Sequence, residues 1–192
     1  LGIWAAGTLD VAGLDWHSSR ESRVKQGPEG DDIAYHEVGK FLRLSLKANP
    51  TILELLALPD DIYDVRTDEG ARLVSIRDAF YSRKAVFNAY HGYSTAQVKK
   101  YSNGFPKAKY ARHALRLLEQ GRTLYQTGIL QVQVENRQRY FDLSDMTHDQ
   151  VMRVLNAELD AWQETASPLP ESPDRDTVRD FLSSVRRTHL EH

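Results

Sequence analysis

The sequence predicts an α+β fold, a small strand-bearing N-terminal portion followed by an extended helical portion. Three observations predict it. A turn signal, Gly27-Pro28-Glu29-Gly30, feeds the short segment Asp31-Asp32-Ile33-Ala34-Tyr35-His36, which reads as a strand. From Val38 onward the apolar spacing switches to that of a helix, with Val38, Phe41, Leu42 and Ser45 or Leu46 on one side. Near the C-terminal end, Val151, Val154, Leu155, Leu159 and Trp162 form a sustained apolar stripe behind the capping box Thr147-x-x-Gln150.

In chain order, Ile3-Trp4-Ala5-Ala6 reads as a strand and residues 1–38 as β-rich and irregular. Asn49-Pro50 ends the first helix, because proline disfavours a helical residue before it. Thr51-x-x-Glu54 reads as a capping box that opens a short helix, Ile52 to Ala57, closed by Pro59-Asp60-Asp61. Thr67 caps a further helix in which Leu73, Ile76 and Phe80 share a face. Residues 83–101 read as two helical pieces, divided by Gly92 and restarted by Ser94-x-x-Gln97. After the loop Asn103-Gly104-Phe105-Pro106 comes a long helix, Lys107 to about Gln126, ending near Gly128. Ile129 to Val134 alternates like a strand. Residues 166–173 read as a Pro/Ser linker, and Ser172-Pro173 starts a final helix lined by Val178, Phe181, Leu182 and Val185.

Composition narrows the function classes. With 192 residues, 41% hydrophobic and 27% charged, the chain suits one ordinary domain or a compact domain with a helical extension. It has no apolar run near the ~20 residues of a membrane span, so no membrane partner is expected. No signal peptide is visible at Leu1-Gly2-Ile3-Trp4. The absence of cysteine excludes disulfides and thiolate zinc sites and points to a reducing, cytoplasmic compartment. A formal charge of -2 does not force a nucleic-acid partner. No His-Glu-x-x-His, Gly-x-Ser-x-Gly or P-loop pattern is present. Leu190-Glu191-His192 reads as the beginning of an expression tag, and the leading Leu1 suggests a start inside a longer polypeptide.

The block from Asp31 to Leu56 is distinctive: an acidic strand, then Lys40-Phe41-Leu42, then Asn49-Pro50 and Leu53-Glu54-Leu55-Leu56. It resembles the predicted nucleotidyltransferases of the DNA polymerase β superfamily, of the RNA-repair-associated type. Gly92-Tyr93 with Gln97, then Lys109, His113, Arg116-Leu117-Leu118 and Gly121, then Gly128 and Leu169-Pro170 match in the same order, so the resemblance covers roughly residues 8–185. It implies that residues 1–58 are the C-terminal part of a nucleotidyltransferase-like α/β core and residues 59–189 a helical domain, ahead of the tag remnant read at 190–192.

The resemblance also implies chemistry. Such enzymes transfer a nucleoside monophosphate from a nucleoside triphosphate to an acceptor, here with RNA as a candidate acceptor. Magnesium or manganese ions are held by three carboxylates, two of them in an Asp-x-Asp strand after a Gly-Ser turn. Leu1-Gly2-Ile3 resembles the residues just after that acidic pair. Leu9-Asp10 and Leu14-Asp15 do not have its spacing. Starting at Leu1, the chain lacks the first two metal carboxylates; the expectation is a nucleotidyltransferase when complete, with the alternatives that the missing residues were removed or that this is a degenerate, inactive member.

Asp31 and Asp32 are the candidates for the third carboxylate, as metal ligand and catalytic base. Adjacent on a strand, they point to opposite faces, and only one reaches a shared site. The plain alternative is a pair of turn residues after Gly30. Lys109, His113, Arg116 and Gln120 fall on one stripe of the long helix, and Lys109, His113 and Arg116 are candidate phosphate contacts. The alternative is a solvated face. In Tyr90-His91-Gly92-Tyr93, Tyr93 is a candidate for base stacking and His91 for phosphate, against core packing of the tyrosines. Lys99, Lys100 and Tyr101 with Lys107 to Lys109 offer a short basic patch. Two further readings stand beside the transferase: a noncatalytic binding or regulatory protein on the same fold, and an RNA-end-binding module. The oligomeric state is not legible.

Overall fold

The computed structural model describes residues 2–4, 14, 22–26, 32–103, 107–163 and 166–190. In chain order the elements are strands β1 (Gly2–Trp4), β2 (Ser22–Gln26) and β3 (Asp32–Glu37), then helices α1 (Val38–Leu46), α2 (Pro50–Leu55), α3 (Asp68–Ser75), α4 (Arg83–Ser102), α5 (Ala108–Thr127), α6 (Arg137–Asp142), α7 (His148–Gln163) and α8 (Arg175–Leu190). Short 3₁₀ turns occupy Asp60–Ile62 and Arg77–Phe80. The fold is α+β, as the sequence predicts. No helix among the described residues is long and apolar enough to cross a membrane.

Two compact units are present. Unit 1 comprises Leu1–Lys47, Asp64–Phe80 and Pro173–His192, and unit 2 comprises Ala48–Tyr63 and Tyr81–Ser172.

Unit 1 holds a three-stranded sheet in the order β1-β3-β2, with β1 parallel and β2 antiparallel to β3. Asp32 stands opposite Gln26 and His36 opposite Ser22. Strand β2 has no apolar alternation, which is why the sequence does not announce it; all five of its residues are exposed. Strand β3 runs directly into α1. Glu37, its last residue, is also the N-cap: its carboxylate accepts from the Gly39 and Lys40 backbone N–H groups at 2.7 and 3.3 Å. Val38, Phe41, Leu42 and Leu46 are buried as the spacing predicts. The final helix α8 buries Val178, Phe181, Leu182 and Val185. It is capped by Asp174, which accepts from the Thr177 backbone N–H at 3.0 Å, rather than by Ser172. Pro173 therefore lies just ahead of the cap.

Unit 2 is helical. Its centre is the packing of α4 on α5, with α7 against both. Helix α4 is continuous over Arg83–Ser102 and capped by Ser82, not split at Gly92. Gly92 costs only ~1 kcal/mol against alanine, and burial of Val86, Tyr90, Ser94, Val98 and Tyr101 across its length outweighs that. Helix α5 ends at Gly128, whose φ of 75° is the left-handed C-cap conformation that favours glycine. Gly121 is the close-approach point: a Cβ there would lie 2.5 Å from both the Trp162 ring and Tyr90. Helix α2 starts two residues earlier than the Thr51 box suggests. Asn49 is the cap, accepting from the Ile52 N–H at 3.3 Å, and Pro50 takes the first position, where its missing N–H is harmless. The capping box at Thr147 and Gln150 forms in full, at 2.8 and 3.3 Å. Residues 129–134 are not a strand but an irregular segment. They have no partner strand among the described residues, and their backbone is tied instead to α5, where Gln120 Nε2 donates to the Gln131 carbonyl at 3.1 Å.

Candidate functional site

In unit 1, Asp32 opens β3, while Asp31 lies outside the described residues and nothing further is described of the Asp32 side chain. Along β3, His36 Nδ1 meets Ser22 Oγ at 2.8 Å, and Lys40 Nζ donates to the same hydroxyl at 2.6 Å. Desolvation, then the Lys40 charge, hold the His36 imidazole below its ordinary pKa. Among the described residues, no three His, Cys, Asp or Glu side chains group closely enough to hold a metal ion.

In unit 2, an open cleft of about 820 Å³ lies between α5, the irregular segment and α6. Its construction follows from the α5 sequence. Ala111, Ala114, Leu115, Leu117, Leu118, Gly121 and Leu124 are buried. That leaves Arg112, His113 and Arg116 to line the cleft. Val132, Gln133 and Val134 form a second wall, and Arg137, Tyr140 and Phe141 of α6 a third. Gln120, on the same stripe of α5 as His113 and Arg116, is buried and holds the second wall in place.

The lining carries three arginines and a histidine but no carboxylate. Arg116 pairs with Glu54 at 3.1 Å. The carboxylates behind α6 are also engaged: Tyr140 Oη donates to Glu119, Arg139 pairs with Glu119 and with Glu158 (2.5 Å), and Arg122 pairs with Glu158 at 2.7 Å. Burial and the bond to Glu119 push the Tyr140 hydroxyl pKa up, so it stays a donor. Desolvation and the Arg116 guanidinium hold His113 below the ordinary imidazole value, against the opposing pull of Glu54.

Of the residues expected to touch a nucleotide, His113 and Arg116 are brought together in this cleft. Lys109 stands two turns before Arg116 on α5, its Nζ 5.1 Å from the Tyr110 ring centroid, and does not line the cleft. His91 and Tyr93 do not line it either: His91 stacks on Phe87 at 5.1 Å, and Tyr93 Oη accepts from Asn49 Nδ2 at 2.9 Å. Arg112, Arg137, Tyr140 and Phe141 are the lining residues that the sequence reading did not single out. Asn136 followed by Arg137-Gln138-Arg139 was the available signal, a cap residue ahead of a short basic helix; Asn136 Oδ1 does accept from the Arg139 N–H at 3.2 Å.

Comparison with known proteins bears on both units. No curated protein and no solved structure matches the chain. A family model, described as the RNA repair pathway DNA polymerase beta family, matches residues 10–185. That stretch takes in the acidic strand, the Asn49-Pro50 turn and the whole cleft, and the chain belongs to the RNA repair pathway DNA polymerase beta family.

Proposed function

We propose that the protein is a nucleotidyltransferase that moves a nucleoside monophosphate from a nucleoside triphosphate to an acceptor hydroxyl, with RNA the favoured acceptor class. The observation that carries this is the family match across residues 10–185. In the reaction the acceptor oxygen attacks the α-phosphorus in line. The new P–O bond forms, the α–β bridging bond breaks, and pyrophosphate departs. Asp31 or Asp32 takes the hydroxyl proton as general base. Magnesium or manganese is the expected cofactor, supplying charge neutralisation on the triphosphate when bound. His113 and Arg116 contribute phosphate contacts in unit 2, since a guanidinium grips phosphate oxygens in pairs.

The test is transfer of α-labelled nucleotide from each nucleoside triphosphate to a mixed RNA acceptor, with and without magnesium. Asp31→Asn combined with Asp32→Asn lowers turnover by about 10²-fold or more while the far-UV circular dichroism is unchanged. Full turnover in the double variant would remove the acidic strand from the mechanism. Metal-independent triphosphate binding with no turnover under any condition would leave a binding protein on the family fold.

A further inference from the structure

We propose that the cleft of unit 2 is a two-part nucleotide site, with Arg116, His113 and Arg137 facing the phosphates and the Arg112–Phe141 pair facing the base. It deepens the reading above by naming the site and its ligand class, and rests on that reading only for the expectation of a nucleotide.

Four observations carry it. The lining gathers Arg112, Arg116, Arg137 and His113 with no acidic residue among them. Such a concentration of one sign selects an anion, and a polyanion over a monoanion. The nearby acids Glu54 and Glu119 are committed to Arg116 and Arg139, so Arg112 and Arg137 face the cleft without a carboxylate in the lining.

The second observation is aromatic. Phe141 is 54% exposed, and the Arg112 guanidinium lies 5.6 Å from its ring centroid. An exposed ring layered with a guanidinium is a surface on which a nucleobase stacks regardless of its identity.

Size is the third. About 820 Å³ falls within the ~300–1,000 Å³ of small-molecule sites, enough for a nucleoside with its phosphates.

The fourth is the state of His113. Around it stand Arg112 and Arg116 of α5, Lys100 of α4, Glu54 of α2, and Arg137 and Tyr140 of α6. Cations outnumber acids there, and desolvation first, then the Arg116 charge, hold the His113 imidazole pKa below its ordinary value. A phosphate dianion arriving in this setting favours the imidazolium and raises the histidine pKa. The ligand is then a base bearing phosphates, whether a free nucleotide or the phosphorylated terminal nucleotide of an RNA strand.

The experiment is a binding titration of the full chain in EDTA, so that its result is independent of metal and turnover. The probes are ATP, a 5′-phosphorylated oligoribonucleotide and inorganic tripolyphosphate, followed through the His113 ring proton by NMR. All three raise the His113 pKa. Arg137→Gln weakens all three about tenfold, the worth of one charged contact, whereas Lys84→Gln, which removes an equal charge outside the cleft, does not. Phe141→Ala weakens the two base-bearing probes about tenfold and leaves tripolyphosphate unchanged. A tighter oligoribonucleotide identifies a strand end, and equal affinities identify a free nucleotide. A His113 pKa indifferent to saturating probe, or equal losses from Arg137→Gln and Lys84→Gln, would overturn the proposal. Equal sensitivity of tripolyphosphate and ATP to Phe141→Ala would overturn its base half. Any of these leaves the acidic-strand test of turnover intact.

Discussion

Arg186 and Glu37 meet inside unit 1, Nη2 to Oε1 at 3.1 Å, each side chain 1% exposed. The same carboxylate caps α1 through its other oxygen, while Arg186 Nε and Nη1 have no hydrogen-bond partner among the described residues. Removing one partner strands a buried charge. Arg186→Met therefore destabilises the protein by about 3–5 kcal/mol. Glu37→Gln keeps the cap acceptor but orphans the guanidinium, at similar cost. The double variant recovers much of the loss, because the two unpartnered donors and the charge leave together. Urea denaturation of the four proteins checks this, and strictly additive losses would show that the pair is not coupled.

Two glycines in unit 2 give opposite signs. Gly121→Ala drives a methyl group to 2.5 Å from Trp162 and Tyr90, and overpacking of this kind costs about 1–3 kcal/mol or more. Gly92→Ala meets nothing within 4 Å and sits in an exposed helix interior, so it stabilises by about 0.5–1 kcal/mol. Thermal melts of both variants decide it; the same sign for both would contradict the packing described.

Asn49 serves two partners with one amide, its oxygen to the Ile52 N–H and its nitrogen to Tyr93 Oη. Asn49→Ala costs about 0.5–2 kcal/mol, the worth of an N-cap. Asn49→Asp retains the cap acceptor and loses only the donor to Tyr93, and Tyr93→Phe loses the acceptor. Asn49→Asp should thus resemble Tyr93→Phe in stability and lie above Asn49→Ala. An Asp variant as unstable as the Ala variant would assign the effect to Tyr93 instead of the cap.

Folding stability should fall on mild acidification. Both His36 and His113 are held below the unfolded imidazole value of 6.5, desolvation being the first cause in each. The unfolded chain takes up protons at these sites before the folded chain does. Their contribution is complete above pH 6.5 and is lost as pH drops from there through the depressed folded values. Denaturant midpoints at pH 7.5 and 5.5 measure the loss. His113→Gln flattens the dependence, and an unaltered slope in that variant would exclude His113 as a source.

Much of the helical scaffold was legible because its determinants are local. The stop at Gly128, the Thr147–Gln150 box, the Thr67 cap (accepting from the Gly70 N–H at 3.1 Å) and the stripe from Val151 to Trp162 are set by neighbours within one or two turns. What escaped depends on partners distant in sequence. Strand β2 exists through its pairing with β3, not through its own pattern. Continuity of α4 at Gly92 comes from packing on α5. The alternation of residues 129–134 imitates a strand, yet Gln120 claims its backbone. In the cleft, His113 and Arg116 were visible as a helical stripe, whereas Arg112, Arg137 and Phe141 become neighbours only when α6 folds back beside α5.

Unit 1 is assembled from three separated stretches, and the Glu37–Arg186 pair closes a span of 149 positions. A ribosome emits this polypeptide from its N-terminal end, so β3 and α1 leave the exit tunnel long before α8 exists to cover them. All of Ala48–Tyr63 and Tyr81–Ser172 has by then been made. Unit 2 is thus equipped to form during synthesis, while the sheet and its acidic strand wait for the last helix, at the entropic cost of a long loop. Pulse proteolysis of stalled nascent chains should find the helical unit protected first and the strand-bearing unit only after residue 186 has emerged.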